Sequence, residues 1–210
     1  MNINVHVIVT GPFQENTFII SDSITGDTVF IDPGDNSDSL ISEIDKNNLH
    51  PLAIINTHAH IDHIGAVSSL QTKWNIPFYL HKKEQMVLDT FEQTCRLFGL
   101  PTSDKPCVDY WIDSEDDLEI GALHFKVMFT PGHTPGGITL ITGGHVFSGD
   151  TLFNGSVGRT DLPGGDWNTL ESSLKKMVKQ IDPNMIIHTG HGSDTTMGRE
   201  QLENPFLIRL

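Results

Sequence analysis

Asn56-Thr57-His58-Ala59-His60-Ile61-Asp62-His63 places three imidazoles and a carboxylate within six consecutive residues, His58 to His63. So dense a cluster is costly to fold unless something binds it. Imidazole nitrogen and carboxylate oxygen are the donors that a borderline divalent metal prefers. The run follows Leu52-Ala53-Ile54-Ile55, which reads as a short buried strand delivering the cluster at its C-terminal end. The apolar positions Ile64, Val67 and Leu70 then open a helix that ends near Trp74, so the local order is strand, metal loop, helix. In an extended loop residues two apart point the same way; His58 and His60 can therefore share one ion, while Asp62 and His63 have to turn aside.

Outward from this loop, 210 residues suit one domain, or two tightly packed halves of about 1-115 and 116-210, with enough chain for a real core. A net charge of -14 repels nucleic-acid phosphates and anionic membranes, so neither is an expected partner. The first residues, Met1-Asn2-Ile3-Asn4-Val5, carry no basic segment and no apolar core of a leader, and no later run is long enough to span a bilayer. Cys95 and Cys107 form no C-x-x-C pair, which fits a reducing compartment; a cytoplasmic protein is the expectation.

N-terminal to the loop, Val5–Val9, Thr17–Ile20 and Thr28–Ile31 read as a three-stranded β meander, closed by Asp32-Pro33-Gly34-Asp35. Ser37 or Asp38 is the predicted cap of a helix through Leu40, Ile41 and Ile44 to about Asn47. Beyond the loop, Pro77–Leu80 is a short strand and Lys82–Phe98 a single helix with Val87, Phe91, Cys95 and Phe98 on its core face, stopped by Gly99-Leu100-Pro101. The acidic run Asp113–Glu119 reads as a solvated turn. The second half echoes the first, with strands Leu123–Phe129, Ile138–Ile141 and His145–Ser148, and a Gly143-Gly144 hairpin. Both third strands end in an aspartate, Asp32 and Asp150. A Gly-rich loop over 154–165 leads to a helix capped by Asp166 with Leu170, Leu174, Met177 and Ile181 on one face; a strand over Met185–His188 and a short helix around Arg199–Leu202 follow.

Thr130-Pro131-Gly132-His133, Gly149-Asp150 and Gly190-His191 also follow predicted strands and contain small or turn-forming residues. Strand ends fix the backbone rigidly and glycine permits close approach, the conditions for a preorganised set of ligands. Seven candidates result: His58, His60, Asp62, His63, His133, Asp150 and His191. His6, His50, His81, His124, His145 and His188 lack this context and read as structural or exposed.

The order His58-x-His60-x-Asp62-His63, His133, Asp150, His191 resembles the metallo-β-lactamase superfamily across most of the chain. The resemblance implies an α+β fold, a four-layer αββα sandwich of two mixed sheets packed face to face with helices outside. It also implies two divalent metal ions, zinc first, with iron or manganese as alternatives. Carried over by motif position, His58, His60 and His133 hold one ion, Asp62, His63 and His191 the other, and Asp150 bridges them. A hydroxide between the ions is then the nucleophile, and Asp62 and Asp150 are the catalytic carboxylates. Zinc β-lactamases commonly carry cysteine where Asp150 falls, which argues against that branch.

Phe147-Ser148-Gly149-Asp150-Thr151-Leu152-Phe153 and Gly158-Arg159-Thr160-Asp161-Leu162-Pro163-Gly164-Gly165 resemble the glyoxalase II group of thioester hydrolases. That resemblance implies a small-molecule partner, a hydroxyacyl-glutathione such as lactoylglutathione. The chain ends nineteen residues after His191, which fits the short single-domain type without a C-terminal glutathione-binding domain. Arg159 could meet a substrate carboxylate, but bracing the loop through Asp161 is the preferred reading; Cys95 takes no catalytic role. The rivals are a glutathione persulfide dioxygenase with one iron on His58, His133 and Asp150, and another metallo-hydrolase such as a lactonase.

Overall fold

Alternating residues of the strands before the opening loop are apolar on both faces, a pattern that only a sheet covered on both sides can satisfy. The computed structural model, which describes residues 2–100 and 104–210, shows how. The first sheet runs in chain order: β1 (Ile3–Thr10), β2 (Glu15–Asp22), β3 (Asp27–Ile31), β4 (His50–Ile55), β5 (Phe78–His81) and β6 (Tyr110–Ile112). β1 to β3 pair antiparallel and β3 to β6 parallel, so the sheet is mixed. The second sheet contains β7 (Leu118–Ile120), β8 (Leu123–Phe129), β9 (Ile138–Thr142) and β10 (His145–Gly149). After the small ribbon β11 (Leu152–Phe153) and β12 (Ser156–Val157), it is completed by β13 (Ile186–Thr189) and β14 (Thr195–Thr196). Its spatial order is β14-β13-β10-β9-β8-β7, with β10 and β13 parallel.

Three apolar layers separate four structural layers. Phe18, Ile20, Val29, Ile31, Ala53 and Ile55 face Phe125, Val127, Leu140 and Phe147 between the sheets. The intervening residues Ile19, Phe30 and Ile54 point the other way, onto Leu40 and Ile44 of α1 (Ser37–Asn47) and onto Val67 and Leu70. Val146 and Ile187 meet Leu170, Leu174 and Met177 of the helix over Trp167–Gln180. A meander, a crossing helix and a parallel strand occur twice, as β1 to β4 around α1 and as β8 to β13 around the Trp167–Gln180 helix. Among the described residues no helix is long and apolar enough to cross a membrane.

Phe30 is fully buried and stacks on Trp74 with ring centroids 5.6 Å apart. Truncating such a side chain removes its transfer energy and leaves a void; Phe30→Ala should cost about 3–5 kcal/mol. Urea unfolding of the chelator-treated protein reads this directly, and a loss below about 1 kcal/mol would mean that the helix layer does not pack on the sheet.

Several elements differ from the sequence expectation. α1 is capped by Asn36 in left-handed backbone (φ 51°), not by the side chain of Ser37 or Asp38. The segment after the His cluster is two helices, α2 (Ile61–Ile64) and α3 (Val67–Trp74), so Asp62 and His63 lie inside a helical turn. The single helix predicted over Lys82–Phe98 is a 3-10 turn at Lys82–Glu84, α4 (Gln85–Leu88) and α5 (Phe91–Phe98). The Thr90 hydroxyl donates to the Val87 carbonyl (2.8 Å), the local bond by which threonine competes with helix continuation. Val87, Phe91 and Cys95 are core, whereas Phe98 is 54% exposed. Of the predicted stop, Gly99 is in left-handed backbone after α5, and Pro101 lies outside the described residues. The last helices are α6 (Trp167–Gln180), capped as expected by the Asp166 carboxylate accepting from the Thr169 N–H (2.7 Å), and α7 (Met197–Glu203). The carboxylates of the acidic run are exposed, but its end, Leu118-Glu119, belongs to β7 and is not turn; within the run Glu115 pairs with Lys176 and Asp117 with His124.

Candidate metal centre

β4 ends at Ile55, and the next residues turn across the C-terminal edge of the first sheet. His60 is extended (φ -65°, ψ 151°) and precedes α2, whose single turn carries Asp62 and His63; the His63 ring still lies against that of His58, centroids 4.1 Å apart. His133 comes from the turn after β8, Asp150 directly after β10, and His191 after β13. All seven predicted side chains converge here. Donor atoms of His58, His60 and His133 lie within 4.8 Å of one another, and so do those of Asp62, His63 and His191. Asp150 sits between the groups: Oδ1 is 3.4 Å from His63 Nε2, and Oδ2 is 3.5 Å from His133 Nε2 and 3.6 Å from His191 Nε2.

The outward partner of four imidazoles decides which nitrogen faces the cluster. The Thr57 hydroxyl donates to Asp32 Oδ2 (2.6 Å), so its oxygen accepts from His58 Nδ1–H (3.0 Å). His63 Nδ1 donates to Asp32 Oδ2 (3.1 Å), His133 Nδ1 to the Arg159 carbonyl (2.8 Å) and His191 Nδ1 to the Phe13 carbonyl (3.2 Å). Each leaves Nε2 inward as a lone pair, the arrangement by which a second hydrogen bond orients a metal-binding histidine. His60 presents Nδ1, which lies 2.9 Å from His133 Nε2.

Buried polar atoms normally have partners, yet His58 Nε2, His63 Nε2 and Asp150 Oδ1 make no hydrogen bond, although the last two lie 3.4 Å apart. His63 Nε2 and Asp150 Oδ1 face each other, and the His58 ring lies against that of His63. The donor set therefore fits divalent cations, and it is the set a metal would complete.

Electrostatics divides the two groups. Burial pushes His58 well below the usual imidazole range, and His60 down to about 4. Burial also lowers His133 against the pull of Asp150. Burial opposes charge on His63 and His191 too, but Asp150 and Asp32 around His63, and Asp62 and Asp150 beside His191, outweigh it and raise both. For Asp62 and Asp150 burial works upward, and the facing histidines overcome it, holding both below the ordinary carboxylate range.

Glycine is required at several positions around the cluster, Gly190 and Gly149 among them. A Cβ on Gly190 would lie 2.1 Å from Asp150 Oδ1. At Gly149, whose φ is +50°, it would lie 2.2 Å from Thr57 Oγ1.

Sequence reasoning treated Asp32 only as a strand end. Its carboxylate also accepts from the Thr57 N–H (2.7 Å), so it organises Thr57, His58 and His63 at once. It does so from left-handed backbone, φ 51°, a conformation that aspartate tolerates better than most residues. The symmetry between Asp32 and Asp150 as third-strand ends was the available signal. Glu84, fully buried, was missed as well; it accepts from the Ala59 N–H (2.9 Å) and the Gly136 N–H (2.7 Å) and so ties the His loop to the turn carrying His133. Arg159 makes a bidentate pair with Asp161, Nε to Oδ1 and Nη2 to Oδ2 both at 2.7 Å. His188, the nearest alternative to His191, lies within β13 and pairs with Asp194 (2.9 Å) and His145 (2.8 Å), outside the cluster.

Two facing sheets with histidines and aspartates gathered at one edge define a metal-dependent hydrolase scaffold. Residues 10–191 match the family model of the metallo-beta-lactamase superfamily, and the chain belongs to that superfamily. It is 35% identical over 209 residues to the hydroxyacylglutathione hydrolase GloC of Haemophilus influenzae, covering 98% of each chain. Among solved structures it resembles TTHA1623 in a di-iron-bound form (TM-score 0.88, 40% identity, 97% of this chain and 100% of that one). It also resembles the BLEG-1 B3 metallo-beta-lactamase (TM-score 0.90, 38% identity, 97% and 99%).

Proposed function

We propose that the chain is a thioester hydrolase of the glyoxalase II type, cleaving hydroxyacyl-glutathione such as lactoylglutathione to the hydroxyacid and glutathione. The observation that carries this reading is the placement of Asp150 between two three-residue groups with orphaned inward atoms. The GloC likeness over nearly the whole length supports the substrate class. In this reading His58, His60 and His133 hold one divalent cation, Asp62, His63 and His191 the other, and Asp150 is shared. Zinc, iron and manganese all accept this nitrogen and oxygen set. Such a pair supplies Lewis acidity toward the thioester carbonyl and a water acidified to near-neutral pKa.

The protein's own part is orientation. Asp32, Thr57 and the carbonyls of Phe13 and Arg159 fix the imidazoles, so little reorganisation accompanies reaction. Asp62 and Asp150, held ionised, act as ligands and not as acids. Asp62 also lines the cleft above the cluster, where its carboxylate can accept a hydrogen bond from an incoming water.

The test is elemental analysis of protein purified without added metal, followed by assay on lactoylglutathione. Two ions per chain with hydrolysis are expected. Both sites filled without thioester cleavage overturns the reading. Cleavage of a β-lactam instead would favour the second reading, which rests on the BLEG-1 likeness. One iron with oxygen uptake on glutathione persulfide would favour the dioxygenase.

A pH dependence follows. His63 and His191 have raised pKa values, so protons compete with metal there as pH falls; His58, His60 and His133, all lowered, stay unprotonated further into acid. Acidification from pH 8 to pH 5 should release the ion on the Asp62 group first. Metal content after equilibration and desalting at each pH checks the order; loss of both ions together would contradict it.

A further inference from the structure

Above the metal cluster lies a cleft of about 310 Å³ whose floor is formed by His60, Asp62, His133, Asp150 and His191. Its walls are carbon: Phe13, Ile61, Val87, Phe91, Phe98 and Leu162. Phe13, from the turn between β1 and β2, meets Phe98, the last residue of α5, edge to face with centroids 5.4 Å apart. These two rings keep 37% and 54% of their surface exposed, and Leu97 and Met86 beside them are also exposed. Aromatic surface left in water at the mouth of a polar site is a common mark of a binding surface. Apart from its metal-binding floor, the cleft has little for an anion. Arg159 is the only lysine or arginine among the described residues lining it, and Asp161 already neutralises that guanidinium with two 2.7 Å bonds. The uncharged polar groups on the wall are the hydroxyls of Thr90 and Thr94, and each donates to a backbone carbonyl, of Val87 and Thr90 respectively.

Resting on the hydrolase reading, we infer that this cleft is an acyl-group subsite for a bulky apolar, preferably aryl, substituent. The scissile carbonyl lies over the His/Asp floor, the acyl side chain lies against the wall formed by Phe91 and the contacting pair Phe13 and Phe98, and the charged parts of the leaving thiol remain in solvent. Phe13 serves twice, because its carbonyl orients His191 while its ring forms the wall. Replacing the ring leaves the carbonyl in place.

The experiment compares S-mandeloylglutathione with S-lactoylglutathione, which share a leaving group and differ in phenyl against methyl. The metal-loaded enzyme should favour the mandeloyl ester in kcat/KM by on the order of tenfold or more, since apolar pockets discriminate by such factors per added group. Phe98→Ala should shrink the ratio severalfold while metal content stays at the wild-type level, Phe13→Ala should shrink it as well, and Phe98→Leu should restore part of it. Calorimetric titration with the product acids is independent of turnover: mandelate should bind more tightly than lactate and with the more negative heat-capacity change. Equal rates on both esters, or a ratio unchanged in Phe98→Ala and Phe13→Ala, overturns the subsite and leaves the hydrolase standing. No cleavage of either ester with two ions per chain overturns the hydrolase reading instead.

Discussion

Asp150→Ala is expected to lower metal content from two ions per chain to one or fewer and to reduce thioester turnover on the order of 10²-fold or more, since even loss of a residue that only supports a ligand commonly costs about 10- to 100-fold. The carboxylate is shared between the two groups, 3.4 Å from His63 Nε2 and 3.5 Å from His133 Nε2, so each group loses a donor when it goes. It is also the charge that raises His63; without it, protonation of that imidazole loses its main support. Asp150→Asn separates shape from charge, because it keeps one acceptor oxygen. Elemental analysis, a turnover assay and a circular-dichroism spectrum together read the effect. Two ions and full activity in a folded Asp150→Ala protein would sink the shared-ligand assignment.

The second large effect is expected at Asp32, which touches the cluster only through other residues. Its two oxygens accept from the Thr57 N–H, the Thr57 hydroxyl and His63 Nδ1. Asp32→Asn keeps the volume but turns one acceptor into a donor facing a donor. His63 is then free to adopt the tautomer with the proton on Nε2, and the Thr57 hydroxyl no longer has a fixed direction for holding His58. Loss of metal affinity by about 10- to 100-fold is expected. A stability loss of about 1–3 kcal/mol should accompany it, from buried donors left unpaired. Competition titration against a chelator and urea unfolding of the metal-free protein measure the two parts separately. Wild-type values in both would mean that the imidazoles are oriented by packing alone.

These two aspartates show how far the chain could be read without its structure. Both end a third strand before a crossing helix, Asp32 after β3 and Asp150 after β10. Asp150 was legible because the order of His133, a Gly-Asp and a Gly-His after the first cluster matched a family pattern. Asp32 was not, because its partners are 25 and 31 residues away and its backbone conformation leaves no mark in the sequence. The fold itself was legible in outline. Phe18, Ile20 and Ile19 alternate between two apolar layers, and such doubly covered strands need helices on one side and a second sheet on the other. The break at Asp89–Thr90 was not legible, because Val87, Phe91 and Cys95 keep helical spacing across it. That break accompanies Phe98 leaving the core face and reaching Phe13 over the cleft.

The sequence by itself determined the candidate ligand types and their order, and that His58 and His60, two apart in extended chain, share a side; that Asp62 and His63 sit in a helical turn was decided by the structure. Only the tertiary structure decided which nitrogen of each ring faces inward and that Asp32 holds two of the rings from behind, one of them through Thr57. Each outward nitrogen is set by a hydrogen bond: His58 is held by Thr57 as Asp32 fixes it, His63 by Asp32, His133 by the Arg159 carbonyl and His191 by the Phe13 carbonyl. Most of those partners are far off in the chain, and sheet packing brings them there.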